Sequence, residues 1–319
     1  MDALPIHEEA DVEFRSEIDG KMHACGHDCH TAMLLGAARV LKDNEGEING
    51  TIKLIFQPAE EGGAGGKMMR DQGVLEDPDV ERIFGLHVSD KLPTGTLASK
   101  EGTLLAATSS IKILVSGNGG HAAMPHLTVD PVVTGSKIVV ELQTLVSREL
   151  DPLESGVISI TMANAGSATN VIPSSMELQG TIRSLTSDGI TRLQQRVREV
   201  AEAIAMANRC IAEVTFPGND FPPTVNDGEC WELGRISAGE ILGEECVSEM
   251  GSIMGGEDFS YYTQVIPGCF SFLGVGNPEI GAVYGVHHPK FKVDEDALSL
   301  GTAIHLSLIH ISEPTRHCL

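Results

Sequence analysis

The sequence predicts an α/β protein in which a small second domain is inserted into a larger α/β/α one. Three observations carry that expectation. Strand, loop and helix patterns succeed one another over residues 31–88, alternating strands and two long amphipathic helices then follow in the order β-α-β-β-α-β, and after about residue 215 the first texture returns. The boundaries drawn from these changes are 1–98 and 215–305 for the two parts of the larger domain, 99–214 for the insert and 306–319 for a tail.

Residues 31–41 (TAMLLGAARVL) carry apolar side chains at helical spacing, with Thr31 placed to start the helix. Residues 44–50 form a polar break, and 51–56 (TIKLIF) read as a short strand ending at Gln57 and Pro58. Glu60 and Glu61 follow, then a glycine-rich stretch and a helix over 67–72. Residues 82–88 (RIFGLHV) read as a strand with His87 at its end. Repetition of this kind predicts a largely parallel sheet, in which chemistry sits at the carboxyl ends of strands. In the insert, 109–116 alternates like a strand with one wet face. A helix over 129–150, strands over 156–162 and 176–183, a helix over 188–208 and a strand over 210–216 complete a split ferredoxin-like unit. Beyond it come a helix over 229–242, a glycine-opened acidic turn at 255–259, a buried strand over 268–274, a loop at 285–289 and a last helix over 294–305.

Composition narrows the functional classes. The 319 residues hold 22 Lys plus Arg against 45 Asp plus Glu, a formal charge of −23. That balance argues against nucleic acid or an anionic membrane as partner. No apolar run approaches the roughly 18 residues needed to span a bilayer, and no basic-then-apolar leader marks the chain for secretion. Seven scattered cysteines, an odd number, suit a reducing cytoplasm, the expected location.

The densest chemistry lies at 22–30 (MHACGHDCH), where thiol, imidazole and carboxylate groups crowd together. Zinc, manganese, cobalt and nickel take such ligands. Cys25 and His27, two apart in a loop, can face one point. With Glu61, His87 and His287 they make five candidate ligands from four segments. One catalytic zinc takes three protein ligands and keeps an open position. Five ligands are therefore enough for two divalent ions if one bridges, and paired ions can activate a water and hold a carbonyl oxygen. Glu60 is the candidate general base, because successive residues of a strand face opposite ways. Singly, each residue has a plainer reading: a core histidine for His87, a solvated turn for Glu60 and Glu61, a buried apolar thiol for Cys25. His23, His30 and His288 are assigned supporting or structural roles. A Cys25 nucleophile with a histidine base would leave Glu60, Glu61 and His287 unused.

Six segments together carry a family resemblance: 22–30 (MHACGHDCH), 57–62 (QPAEEG), 120–126 (GHAAMPH), 170–173 (NVIP), 180–183 (GTIR) and 256–259 (GEDF). They resemble the amidohydrolases that cleave N-acyl amino acids, namely hippurate hydrolases, aminoacylases and the plant hydrolases of auxin–amino acid conjugates, within a larger group of co-catalytic metallopeptidases. The similarity runs from Met1 to about His305. It implies a metal-binding catalytic domain interrupted by a ferredoxin-like dimerisation domain, and hence a homodimer. It implies that Cys25, His27, Glu61, His87 and His287 bind two divalent ions (Mn, Zn, Co or Ni), that Glu60 is the general base and that Asp2 orients the site. His121 would reach across the dimer to the substrate carbonyl, and Asn170 and Arg183 would grip the substrate carboxylate, a task that suits a guanidinium. The expected reaction is hydrolysis of the amide of an N-acyl amino acid to a carboxylic acid and an amino acid. A dipeptidase or aminopeptidase of the same group is the alternative among enzymes, and a binding protein or inactive fragment the alternative outside them.

Some positions depart from the resemblance. The family's chains begin earlier, with a helix and at least one strand, so Met-Asp-Ala-Leu-Pro reads as an internal methionine at the end of a buried strand. Residues 306–319 resemble a translated sequencing-library adapter and are expected to be a non-native tail. Asn118 stands where relatives often carry lysine, and 286–289 read VHHP in place of Leu-His-Ser-Pro, which leaves His287 in position.

Overall fold

Apolar residues at helical spacing and at alternate spacing combine in each of two separate cores. The structure is a computed structural model, and it describes residues 2–218 and 220–312. Leu105–Pro223 with Ser252–Glu257 form one compact unit, and the other described residues form a second.

In chain order, α1 (His27–Asp43) starts directly after Gly26, whose φ of 77° is left-handed. A Cβ there would lie 2.5 Å from Val88 Cγ2, so glycine alone lets this turn sit against the neighbouring strand. The helix thus begins four residues before Thr31, with a backbone turn where a side-chain cap was expected. Next come α2 (Gly65–Asp71), β1 (Ile83–Pro93) and β2 (Leu97–Ser99). The unit that starts at Leu105 holds β3 (Ala107–Ser116), β4 (Gly120–His121), α3 (Pro131–Thr144), β5 (Gly156–Ala165), β6 (Val171–Ile172), β7 (Ser175–Ser184), α4 (Ser187–Ala207) and β8 (Ile211–Thr215). The chain then returns through α5 (Gly228–Leu242), β9 (Val247–Glu249), β10 (Gly268–Gly276) and α6 (Asp296–Ser312).

The sheet built from β1, β10, β2 and β9, in that order, is mixed. β1 runs parallel to β10 and β9 parallel to β2, while β10 and β2 are antiparallel. A largely parallel sheet was expected. Only three residues separate β1 from β2, and a parallel return needs a crossover of about a dozen, so the chain must reverse there. β1 also extends past Val88 to Pro93, which puts His87 mid-strand, opposite Phe272, and not at the strand's end. Met33, Leu97, Trp231, Leu273, Phe291 and Ile304 form the core between helices and sheet. Residues 51–56 form no strand. Their β-branched composition favours a pleated surface only where a partner offers N–H and C=O groups, and no described strand pairs with them. The last helix continues beyond His305 to Ser312 and buries Leu308, so 306–312 are helical. Residues 313–319, with His317 and Cys318, lie outside the described residues.

In the other unit, β5, β7, β3 and β8 form an antiparallel sheet in that order, with β3 and β7 paired from Ala107↔Ser184 to Ser116↔Ser175. Burial alternates along β3 and β7. Ile111, Ile113, Leu178 and Ile182 meet Ile138 and Leu142 of α3 and Leu193 and Val197 of α4. The order of strands and helices is the split βαββαβ arrangement. α3 ends in a wider π turn, Leu145–Glu149, which accounts for the apolar pattern continuing to residue 150. β4 and β6 make a separate two-stranded ribbon joining His121 to Val171. Among the described residues, no helix is long and apolar enough to cross a membrane.

Asp130 caps α3, its Oδ1 accepting from the backbone N–H of Val132 at 2.8 Å and of Val133 at 3.3 Å. Asp130→Ala is expected to cost about 1 kcal/mol, read as a lower urea midpoint for the unit that holds α3. An unchanged midpoint would show that solvent caps the helix equally well.

Candidate metal centre

Cys25 and His27 flank the left-handed Gly26, so one sharp turn delivers both side chains to the same side of β1. His87 meets them from the middle of β1, with Nε2 3.5 Å from Cys25 Sγ. Its Nδ1 lies 2.7 Å from the Val88 carbonyl. A carbonyl only accepts, so Nδ1 carries the proton and the Nε2 lone pair is left for a ligand. The loop before α6 brings His287, a non-glycine residue at φ 66°. Its N–H donates to the Ala24 carbonyl at 2.7 Å, which holds it beside Cys25 despite the disfavoured backbone. Glu60 and Glu61 open a short kinked helical turn, Glu60–Gly63, with Ala59 before it left-handed at φ 58°.

Three of the overlapping sets in which donor atoms converge involve Cys25 or His27. Cys25, His27 and His87 form one, Cys25, Glu61 and His287 a second, and His27, Glu60 and Glu61 a third, with the ligand atoms of each set within 4.8 Å of one another. Cys25 belongs to the first two, which makes its sulfur the group placed to bridge. Glu61 Oε1 is buried with no hydrogen-bond partner, although His287 Nε2 lies 3.0 Å away. Two acceptor atoms aimed at one point, a shared thiol and a proton-free His87 nitrogen fit divalent ions of the zinc, manganese, cobalt and nickel kind.

Asp2 holds the acidic turn from below. Its Oδ1 accepts from Ala59 N–H at 2.9 Å and its Oδ2 from Glu61 N–H at 3.0 Å. Burial pushes its carboxyl upward, but these amides and nearby His27 outweigh burial and hold it below the usual range. Oδ2 is also 3.8 Å from His27 Nδ1. Burial likewise lowers His27, against the pull of Asp2 and Glu61, and takes His87 down to about 4. Both imidazoles are therefore neutral, as ligands must be, over the physiological range. Glu60 moves the other way, to about 8, first by burial and then by the charges of Glu61, Asp258 and Asp2. Its Oε2 faces His27 Nε2 at 4.0 Å.

The supporting histidines have definite contacts. His23 Nδ1 donates to the Asp2 carbonyl at 3.0 Å. His30 Nε2 accepts from Val88 N–H at 3.0 Å, and its ring lies 4.4 Å from that of His87. His288 stacks on Tyr284 at 4.5 Å. From the sequence Asp258 was read as part of an acidic turn and of the GEDF segment, with no role of its own. Its signal was a carboxylate pair, Glu257 and Asp258, running into an aromatic stretch (FSYY), and Asp258 proves fully buried.

His121, Asn170 and Arg183 lie in the other unit. The β4–β6 ribbon brings the first two together, with Ala122 N–H donating to the Asn170 carbonyl at 3.0 Å. Ala123 N–H donates to His121 Nδ1 at 3.1 Å, so a neutral His121 keeps its proton on Nε2. Arg183, on β7, spends Nη1 on the Met254 carbonyl at 2.7 Å.

Residues 1–311 match peptidase family M20/M25/M40. The chain is 47% identical over 311 residues to IAA-amino acid hydrolase ILR1-like 2 of Arabidopsis thaliana, covering 97% of this chain and 70% of that one. It is 40% identical over 303 residues to N-acetylcysteine deacetylase of Bacillus subtilis, covering 95% and 77%. Among solved structures it is similar to the Bacillus subtilis YxeP protein, described as a dinuclear metal binding peptidase from the M20 family. That likeness has a TM-score of 0.81 at 34% identity, over 97% of this chain and 78% of that one.

The raised Glu60 carboxyl predicts a pH-dependent cost in the metal-free chain. Its stabilising proton is fully present below about pH 4.5 and is lost as pH rises through about 8. Glu60→Gln is therefore expected to match wild type in EDTA at pH 4.5. At pH 8.5 it is expected to be more stable, by on the order of a few kcal/mol. Urea midpoints at the two pH values check this, and a pH-independent difference would mean that Glu60 ionises as readily folded as unfolded.

Proposed function

The chain belongs to peptidase family M20/M25/M40, and from that premise we propose that it is a metal-dependent amidohydrolase that splits N-acyl amino acids into a carboxylic acid and an amino acid. The observation that carries this reading is the pair of donor sets sharing Cys25, with Glu60 beside them. Cys25, His27 and His87 would hold one divalent ion, and Cys25, Glu61 and His287 the other. Manganese, zinc, cobalt and nickel all suit this mixture of donors. When bound, such a pair supplies Lewis-acid polarisation of the amide carbonyl and lowers the pKa of water.

The remaining work falls to the chain's own groups. Glu60 takes a proton from the attacking water at a carboxylate oxygen and returns it to the leaving amine. An elevated proton affinity suits that double task, because the carboxyl must hold the proton between the two steps. Asp2 fixes the turn that aims Glu60, and through His27 the facing side of the site. His121, with its proton on Nε2, offers a donor to the developing oxyanion, and we assign it to the partner's substrate in a homodimer formed through the ferredoxin-like unit. Asn170 and the remaining donors of Arg183 are assigned to the substrate carboxylate. The domain roles follow: a catalytic unit around the metal site and an inserted dimerisation unit. None of the six described cysteines forms a disulfide, in keeping with a cytoplasmic location.

Metal content after exposure to manganese or zinc comes first, and about two ions per chain are expected. The Cys25→Ala/His27→Ala double variant should lose them. Glu60→Gln should keep them while turnover falls by about 10²- to 10⁴-fold. Failure of wild type to bind stoichiometric metal would overturn the ligand assignment.

A panel of hippurate, N-acetyl amino acids and unacylated dipeptides then tests the reaction. The acylated compounds are expected to be cleaved faster. A dipeptide cleaved faster than its N-acyl counterpart would favour a peptidase of the same family.

A further inference from the structure

We infer that Asp258 is a positioning residue for Glu60: its buried carboxylate clasps both ends of the segment that carries the base. The inference rests on the reading of Glu60 given above. Asp258 is 0% exposed. Its Oδ1 accepts from Gln57 Nε2 at 2.6 Å, and its Oδ2 from Gly66 N–H at 2.8 Å. Gln57 and Gly66 bracket residues 58–65, the stretch that contains Glu60 and Glu61. One side chain, through its two oxygens, thus fixes where that stretch leaves and rejoins the fold.

The segment has reason to need such a clasp. Ala59 and Ala64 both sit in the left-handed region, at φ 58° and 51°. L-residues with a Cβ adopt that region only when their surroundings impose it. Asp2 imposes it at the middle, on the amides of Ala59 and Glu61, whereas Asp258 acts on the ends. Close approach is built in on the receiving side as well. A Cβ on residue 66 would lie 2.6 Å from the Asp258 carbonyl oxygen and 2.9 Å from Gln57 Oε1, so glycine alone lets the amide come within bonding distance.

The division of labour follows from what each carboxylate touches. Asp2 bonds the amide of the ligand Glu61 directly, so losing it would disturb ligand and base together. The side-chain bonds of Asp258 to Gln57 and Gly66 fall outside the Glu60–Glu61 pair, so losing them would let the segment shift while Asp2 still holds Glu61. The base, which must reach a water at hydrogen-bond distance, would suffer before the metal ligands do. A misplacement of about 1 Å is enough for a hundredfold loss.

Asn can preserve the clasp and Ala cannot. In Asp258→Asn, the side-chain oxygen can still accept from Gly66 N–H, and the new NH₂ can donate to Gln57 once that amide flips to present Oε1. In Asp258→Ala both donors lose their acceptor. The test compares wild type, Asp258→Ala, Asp258→Asn and Gln57→Ala, each loaded with manganese. It measures metal content, kcat and KM on the N-acyl amino acid that wild type cleaves fastest, and amide hydrogen exchange over residues 57–66. For Asp258→Ala the expected result is about two ions per chain, KM within about threefold of wild type, kcat down by about 100-fold, and segment exchange faster by tenfold or more. Asp258→Asn should recover kcat to within about tenfold of wild type and restore slow exchange. Gln57→Ala, which removes one contact and leaves the buried carboxylate in place, should fall between the two. It keeps the test decisive if Asp258→Ala does not fold. The inference is overturned if Asp258→Ala keeps kcat within threefold, if metal content falls together with kcat, or if Asp258→Asn is as slow as Asp258→Ala. Wild type that binds metal but cleaves no N-acyl amino acid would sink the functional reading instead. In that case exchange over 57–66 still decides the clasp, and unchanged exchange in Asp258→Ala and Gln57→Ala would refute it.

Discussion

Groups that repel or desolvate one another cannot assemble a site by themselves. A thiol, imidazoles and two adjacent carboxylates converge here, and burial disfavours the charged forms of His27, His87 and Glu60. Such a cluster stays together only if the backbone that carries it is anchored from outside. The anchors are polar contacts to main-chain atoms: Asp2 on the acidic turn, the Ala24 carbonyl on His287, the Val88 carbonyl on His87 and the Val88 amide on His30. The same groups make the cluster useful. A ring whose one nitrogen is tied to a carbonyl has only one way to offer its other lone pair, and a carboxylate denied hydrogen bonds is a stronger ligand for a cation.

What could be read in the sequence was what depends on local chain geometry. Cys25 and His27 stood out because, two apart in a loop, they can face one point, and Glu60 with Glu61 because they stand between Pro58 and a run of glycines. The βαββαβ unit was legible for the same reason, since burial on alternate residues of β3 and β7 is written into the order of their side chains. Pairing was less legible. Residues 51–56 have strand composition without a partner, and His87 lies mid-strand because β1 continues through residues whose apolar pattern has already broken down. Whether a segment becomes a strand depends on a neighbour distant in sequence, and composition does not record it. The role of Asp258 was hidden for a related reason: nothing near it in sequence says that Gln57 and Gly66 will be its partners.

The two units divide two kinds of precision. The metal-centre unit draws its donors from loops and turns tied down one contact at a time. The ferredoxin-like unit presents His121 on a two-stranded ribbon, with Asn170 just before the second strand and its carbonyl held by Ala122 N–H.

The bond from His287 N–H to the Ala24 carbonyl joins the latter part of the chain to its beginning. Translation is vectorial, so Cys25 and His27 emerge from the ribosome long before His287, which completes the second donor set of Cys25. A nascent chain can offer a thiol and an imidazole to any passing soft cation, but it cannot yet discriminate among cations by geometry. On the proposed ligand assignment, selection among cations by the full geometry would begin only once residue 287 has been made.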